Sequence, residues 1–199
     1  MSAADVVGRP GEASAIGEFL GSTASWPTAL LLGGEAGIGK TTLWSFGIER
    51  ARASGIRVLC ARTAAAESVL AYASLADLLS GVDTAVYADL PAPQRIAMDQ
   101  VLLRGAGDES AATDPRAVAA GFLSVIEQLA DESSVLIAID DLQWLDTSSR
   151  QVVAFVARRL TGRRSFDNRS ASACRSGMEC FFIFYLSYLP AQVQQRRAA

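Results

Sequence analysis

An α/β domain with a mostly parallel sheet is the fold class this sequence predicts, on three observations. Short apolar runs alternate with stretches of helical periodicity, as helices packed on a parallel sheet require. One apolar run, Ala29 to Leu32, leads into a glycine-rich loop and then a helical pattern. Another, Val135 to Ile139, is apolar without interruption and closes on Asp140-Asp141, the pattern of a strand buried on both faces that carries acids to the sheet edge.

Each element has its own warrant. After the Ala29 to Leu32 strand, a helix is predicted from Lys40 to Ser54, with Leu43, Trp44, Gly47, Ile48 and Ala51 on one face and Gly55 as its stop. Val58 to Ala61 is a second strand. Ser74 to Leu79 and Pro93 to Leu103 read as helices broken by Gly81 and by Pro91-Ala92-Pro93, and residues 105–113 (GAGDESAAT) as a polar loop. Asp114-Pro115 is a cap followed by a first-position proline, after which Val118, Phe122, Val125, Ile126 and Leu129 recur at helical spacing. Val135 to Ile139 follows, then a helix from Ser148 to Leu160 with Gly162 as its stop.

Composition excludes several chemistries. The 199 residues hold no histidine, which removes Ser-His-Asp and Cys-His nucleophile pairs, imidazole metal ligands and imidazole pH switches. One lysine, Lys40, stands among 18 basic residues, against 21 acidic ones; the net charge of −3 predicts no nucleic-acid-binding surface. Cys60, Cys174 and Cys180 fit neither a zinc spacing nor a disulfide framework and read as reduced thiols. The N-terminal stretch lacks the pattern of a secretory signal, and the longest apolar run, Cys180 to Leu189, is about half the ~20 residues of a membrane helix. The expectation is a cytoplasmic protein with no membrane contact.

The chemistry concentrates in Gly34 to Thr41, GEAGIGKT, which fits G-x-x-x-x-G-K-[ST] between a predicted strand and a predicted helix. Glycines let such a loop wrap an anion with inward N–H groups, and the helix beginning there adds the positive end of its dipole. On this motif Gly34, Glu35, Ala36, Gly37, Ile38 and Gly39 cradle the phosphates of ATP. Lys40 reaches the β- and γ-phosphates as a point charge, and the Thr41 hydroxyl ligates Mg²⁺. Thr42 either approaches the α-phosphate or caps the helix. Asp140 completes the set by holding Mg²⁺ through water; Asp141 either orients or deprotonates an attacking water or is a solvated turn carboxylate. The fold class sharpens accordingly to a P-loop NTPase three-layer sandwich.

Four segments together, VVGRPGE, GGEAGIGKTTLW, AAAESVLAYASLADLL and IDDLQWLD, resemble the ATP-binding module of the large LuxR-type transcriptional regulators, which belong to the signal-transduction ATPases with numerous domains. Similar modules occur fused to nucleotide cyclase domains. The resemblance covers residue 5 to about residue 162 and implies a switch controlled by ATP and ADP, with Val7, Gly8 and Arg9 on the adenine and ribose side. Pro10 stands where the family usually has Glu. Gln143, Trp144 and Asp146 belong to the family motif after the acidic pair. Without the resemblance, Trp144 reads as a core aromatic and Arg9 as a solvated surface charge.

The family's fourth strand, which carries a polar or Arg sensor and lies between the first and third, is not recognisable after Gly162, nor are its fifth strand, lid, winged-helix domain and DNA-binding helix-turn-helix. Charge changes at the same point: residues 1–162 hold 12 basic and 19 acidic side chains, residues 163–199 hold 6 and 2. The division expected is a partial ATPase domain, 1–162, and an atypical tail, 163–199. Two readings of that tail, which do not exclude each other, are a disordered product of an altered reading frame and the donor of a substitute strand at 180–187, since Cys180 to Ser187 (CFFIFYLS) is apolar on both faces. The functional expectation is a truncated ATP-binding regulatory module with slow or no hydrolysis, no DNA-binding domain of its own and a capacity for self-association or for binding regulator partners. A small phosphotransferase, which would need an Arg-bearing lid, and a non-functional remnant are the rival readings. Arg158-Arg159 is the only arginine pair near the loop in chain order.

Overall fold

The computed structural model describes residues 9–21, 28–34, 37–104, 113–160 and 179–186, the last group at the level of strand pairing. Helix α1 (Pro10–Gly21) is absent from the elements predicted above. Arg9 precedes it and its carbonyl accepts from the Ala13 N–H at 3.1 Å. Pro10 takes the first helical position, where a missing N–H costs no intrahelical bond. Strand β1 (Thr28–Gly34) leads to helix α2 (Lys40–Ala53), which stops at Gly55, a residue with φ of 75°. Strand β2 (Arg57–Arg62) follows, then α3 (Ala73–Leu79), the short α4 (Ala85–Ala88), also not predicted, and α5 (Ala92–Val101). Helix α6 (Pro115–Glu132) begins as its sequence dictates: the Asp114 carboxylate accepts from the Arg116 N–H at 2.9 Å and Pro115 stands first in the helix. Strand β3 (Val135–Asp140) and helix α7 (Thr147–Leu160) complete the pattern, with β4 (Glu179–Leu186) after them.

Helices pack on both faces of the sheet. The alternation of side chains along β3 shows why: Val135, Ile137 and Ile139 join the cluster formed with α3 to α7, whereas Leu136 and Ala138 join the one formed with α1 and α2. On the first face Phe122, Val125, Ile126 and Leu129 of α6 are all completely buried, each worth roughly 1.5–3 kcal/mol of burial. On the second, Leu43, Trp44, Phe46, Gly47, Ile48 and Ala51 bury the inner side of α2, with Ile16 and Leu20 of α1 beside them. Trp144, a core aromatic only when the resemblance is set aside, is 43% exposed.

The strand order is β1-β4-β3-β2. Strands β2 and β3 are parallel, and β4 runs antiparallel to both of its neighbours, so β1, β2 and β3 all point one way and β4 the other. Position 182 sits between Leu31 and Ile139, which in turn pairs with Ala61, giving one row across four strands. Strand β4 thus lies between β1 and β3, where their backbone groups would otherwise face a gap of about 9.6 Å. The remainder of residues 163–199, Ser187 included, lies outside the described residues.

Candidate functional site

The carboxyl ends of β1, β3 and β2 share one edge of the sheet, and the chemistry-bearing residues collect there. Register fixes this: Leu31 and Ile139 share a row, β1 continues to Gly34 and β3 to Asp140, and Gly34 pairs with Glu179 at the start of β4. Beyond β1 the loop uses two residues in the left-handed region, Gly37 at φ 76° and Gly39 at φ 88°, a conformation that other residues adopt only at a cost. Gly39 is the residue before α2, which has no side-chain cap and no acid in its first turn. The first-turn N–H groups and the dipole are therefore disposed toward an external anion. Lys40 is 4% exposed, Thr41, Thr42 and Ile38 are exposed, and Asp140 is 7% exposed. A charge so withdrawn from water requires compensation by opposite charge or hydrogen bonds.

Asp141 takes φ 54° and ψ 55°, a strained geometry for a residue with a side chain, and its Oδ1 accepts from Gln143 Nε2 at 2.9 Å. Its carboxylate is half-buried and oriented by that amide. Arg9 is partly exposed and 3.9 Å from Glu12 on the next turn. Gly8, Glu35 and Ala36 lie outside the described residues. The arginine pair on α7 is on its exposed side, Arg159 stacking over the Phe155 ring.

Two residues near the edge have roles that the sequence pattern did not reveal. Asp146, 2% exposed, receives the N–H of Tyr72 on Oδ1 at 3.0 Å, that of Ser74 on Oδ2 at 3.2 Å and that of Ser149 on Oδ1 at 2.8 Å. It caps α7 and holds the start of α3 to the acidic turn. Burial alone would push its carboxyl up, but the hydrogen bonds from the Ser149 backbone and hydroxyl and from the Ser74 and Tyr72 backbone outweigh burial and hold it below the usual value. The local spacing, an acid three residues before Ser149, is that of an N-cap and could have signalled half of this role. Thr63 had no such signal: its hydroxyl meets the carbonyls of Asp140 at 2.8 Å and Asp141 at 2.6 Å across a long sequence separation.

Among the described residues no three His, Cys, Asp or Glu side chains gather as a self-sufficient metal site, and no helix is long and apolar enough to cross a membrane. The donors present, one hydroxyl and one carboxylate, suit Mg²⁺, which takes one or two protein ligands and completes its octahedron with phosphate oxygens and water. The family model of the AAA ATPase domain matches residues 5–166. No curated protein and no solved structure matches the chain.

Proposed function

We propose, from the premise that the chain belongs to the AAA ATPase domain family, that it is an ATP- and ADP-binding regulatory module of the kind found in LuxR-type transcriptional regulators. Membership makes it a nucleotide-binding module; the regulatory assignment rests on the likeness of the four segments noted above. The observation that carries the reading is the buried Lys40 at the uncapped start of α2, on the same sheet edge as the buried Asp140. In this reading Gly34 to Thr42 receive the phosphates, Thr41 and Asp140 hold Mg²⁺, and residues 1–162 form the domain that strand 179–186 completes. Bound Mg²⁺ would neutralise charge shared between the β- and γ-phosphates.

Binding is favoured over turnover. Arginines acting on the γ-phosphate contribute about 10³ to 10⁵ in rate in such enzymes. Arg62 stacks on Trp44 at 5.2 Å, Arg57 pairs with Glu132 at 3.1 Å and Arg9 lies near Glu12. Asp141, oriented by Gln143 Nε2 at 2.9 Å, is the residue that would position or deprotonate an attacking water. For a phosphotransferase, Arg158 and Arg159 on the outer side of α7 offer no lid over the loop.

Calorimetric titration with Mg-ADP and Mg-ATP tests the reading. Lys40→Ala removes a charge-assisted contact worth about 1.5–3 kcal/mol, so affinity should fall about 10- to 150-fold. Unchanged affinity in that variant would overturn the assignment.

A further inference from the structure

Strand β2 forms one margin of the sheet, on the opposite side from β1, and has β3 as its strand partner. The Arg57 N–H reaches the Ser134 carbonyl at 2.9 Å, so Arg57, Leu59 and Ala61 turn their backbone groups toward β3. By the alternation of a strand, Val58 and Cys60 turn theirs outward. Among the described residues no other backbone group meets them. This outward margin borders a cavity of about 180 Å³, walled by residues 57–60 on one side and by Leu78, Gly81 and Val82 on the other. A margin left open in this way is a template for one more strand.

The charges around it divide by face. On the α2 side, with the half-buried Val58 and Cys60 side chains, lie the exposed Arg52 and Arg62. Arg52 reaches Cys60 Sγ at 4.0 Å and Arg62 lies over the Trp44 ring of α2 at 5.2 Å. Among the described residues neither is within ion-pair distance of a carboxylate. On the α3 side Arg57 is already paired with Glu132, and the cavity wall is apolar apart from Ser80 and Asp77, whose carboxyl is pushed up by burial and by Glu67.

We propose that the free margin of β2 is a docking site for an extended segment of a partner protein in which acidic and apolar residues alternate. Added as a fifth strand about 4.8 Å from β2, such a segment pairs with the outward groups of Val58 and Cys60. It sets its acids against Arg52 and Arg62 on the α2 side and lays its apolar residues along Leu78 and Val82. A second copy of the chain is a poorer occupant. Antiparallel pairing of two β2 strands keeps both α2 sides on one face and brings together Arg52 and Arg62 of both chains. The site lies across the sheet from β1 and its glycine-rich loop, so it stands whether or not nucleotide binds.

Fluorescence anisotropy of a dye-labelled hexapeptide, EVEVEV, with the full chain tests this, with hydrogen exchange over residues 57–62 measured alongside. Saturable binding should come with slower exchange in β2 and unchanged exchange in α6. The peptide KVKVKV should bind at least about tenfold more weakly, and EVEVEV with every amide N-methylated should not bind, because it has no N–H to donate to the strand. Arg52→Gln should weaken EVEVEV about two- to fivefold, the weight of one exposed ion pair. Absence of saturable binding, equal binding of KVKVKV or of the N-methylated peptide, or binding that leaves β2 exchange unchanged overturns the proposal. These wild-type comparisons decide even if Arg52→Gln fails to fold, and full affinity in folded Arg52→Gln overturns it as well. Sedimentation showing a dimer whose β2 amides are protected without peptide would give the margin to a second copy and likewise overturn it.

Discussion

The two faces of the sheet are built to different specifications. Under α3 to α7 the core is continuous across five helices and includes Leu75, Tyr87, Met98, Phe122 and Val156. Under α1 and α2 it is thinner, and α2 is fastened to β3 through Leu136 and Ala138. Strand β1, which leads into the glycine-rich loop, has β4 as its strand partner. The acids therefore ride on the deep core, while the loop rides on one helix and a strand that reaches the rest of the sheet through β4. The helix starts repeat the contrast: α6 is capped by its own Asp114, whereas α2 has no side-chain cap and presents its first turn to the loop. Residues that only need stability complete their hydrogen bonds internally. On the proposed reading, the start of α2 is completed by the phosphates of the nucleotide.

Truncation on each face gives the largest expected effects and can break this comparison. Phe122→Ala should cost about 3–5 kcal/mol in urea unfolding and leave Mg-ADP affinity of the folded molecules unchanged, because Phe122 belongs to the cluster under α3 to α7 and not to the one under α2. Leu43→Ala, on the buried side of α2 three residues after Lys40, should cost about 2–5 kcal/mol and weaken Mg-ADP as well. Equal effects on affinity from the two variants would show that the faces are not functionally distinct.

Asp146 gives a smaller, pH-dependent effect. Its folded carboxyl lies below the ordinary 3.8, so its contribution to stability is complete above that value and disappears as pH falls through the folded value. Asp146→Asn leaves N–H donors of Tyr72, Ser74 and Ser149 poorly satisfied and should cost about 1–3 kcal/mol at neutral pH. The penalty should shrink in acid, where the wild type also loses its carboxylate. Glu127 and Asp77 act in the opposite sense: burial raises both, reinforced by Asp131 and Glu67 respectively, so their ionisation opposes folding as pH rises through the ordinary carboxylate range. Urea midpoints from pH 3 to 7 check this; an Asp146→Asn penalty that stays constant across the range would remove the carboxylate from the account.

The central elements were legible because local and tertiary demands coincide in them. The Asp114-Pro115 start and the apolar spacing of α6 name a helix without help from the rest of the chain, and the run Val135 to Ile139 can be little else than a buried strand. The glycines at 37 and 39 announced the loop through the backbone geometry they permit. Helix α1 was missed because its buried residues, Ile16 and Leu20, make only one turn of apolar pattern. The short α4 likewise owes its form to packing of Tyr87 rather than to periodicity. For Trp144 the residue type alone suggests core, and the 3-10 turn Leu142–Trp144 carries it outward. Thr63 was illegible for a simpler reason: a hydroxyl bonded to carbonyls at the end of β3 and in the turn after it leaves no trace in its own neighbourhood.

The smallest expected effect sharpens the contrast between the two helix starts. Asp114→Ala removes the acceptor for the Arg116 N–H and should cost about 1 kcal/mol, the usual weight of an N-cap. Pro115 keeps the first turn pre-formed, so faster hydrogen exchange should be confined to the residues just after it. A fall in melting temperature with unchanged Mg-ADP affinity is the expected result. No fall at all would mean that the proline alone sets the start of α6. Helix α2 should behave oppositely, since its first turn has no such side-chain cap to lose: its amides should gain protection when Mg-ADP is added, whereas those of α6 should not. An internal cap stabilises the scaffold at all times, and on the proposed reading a phosphate would stabilise the loop only when bound.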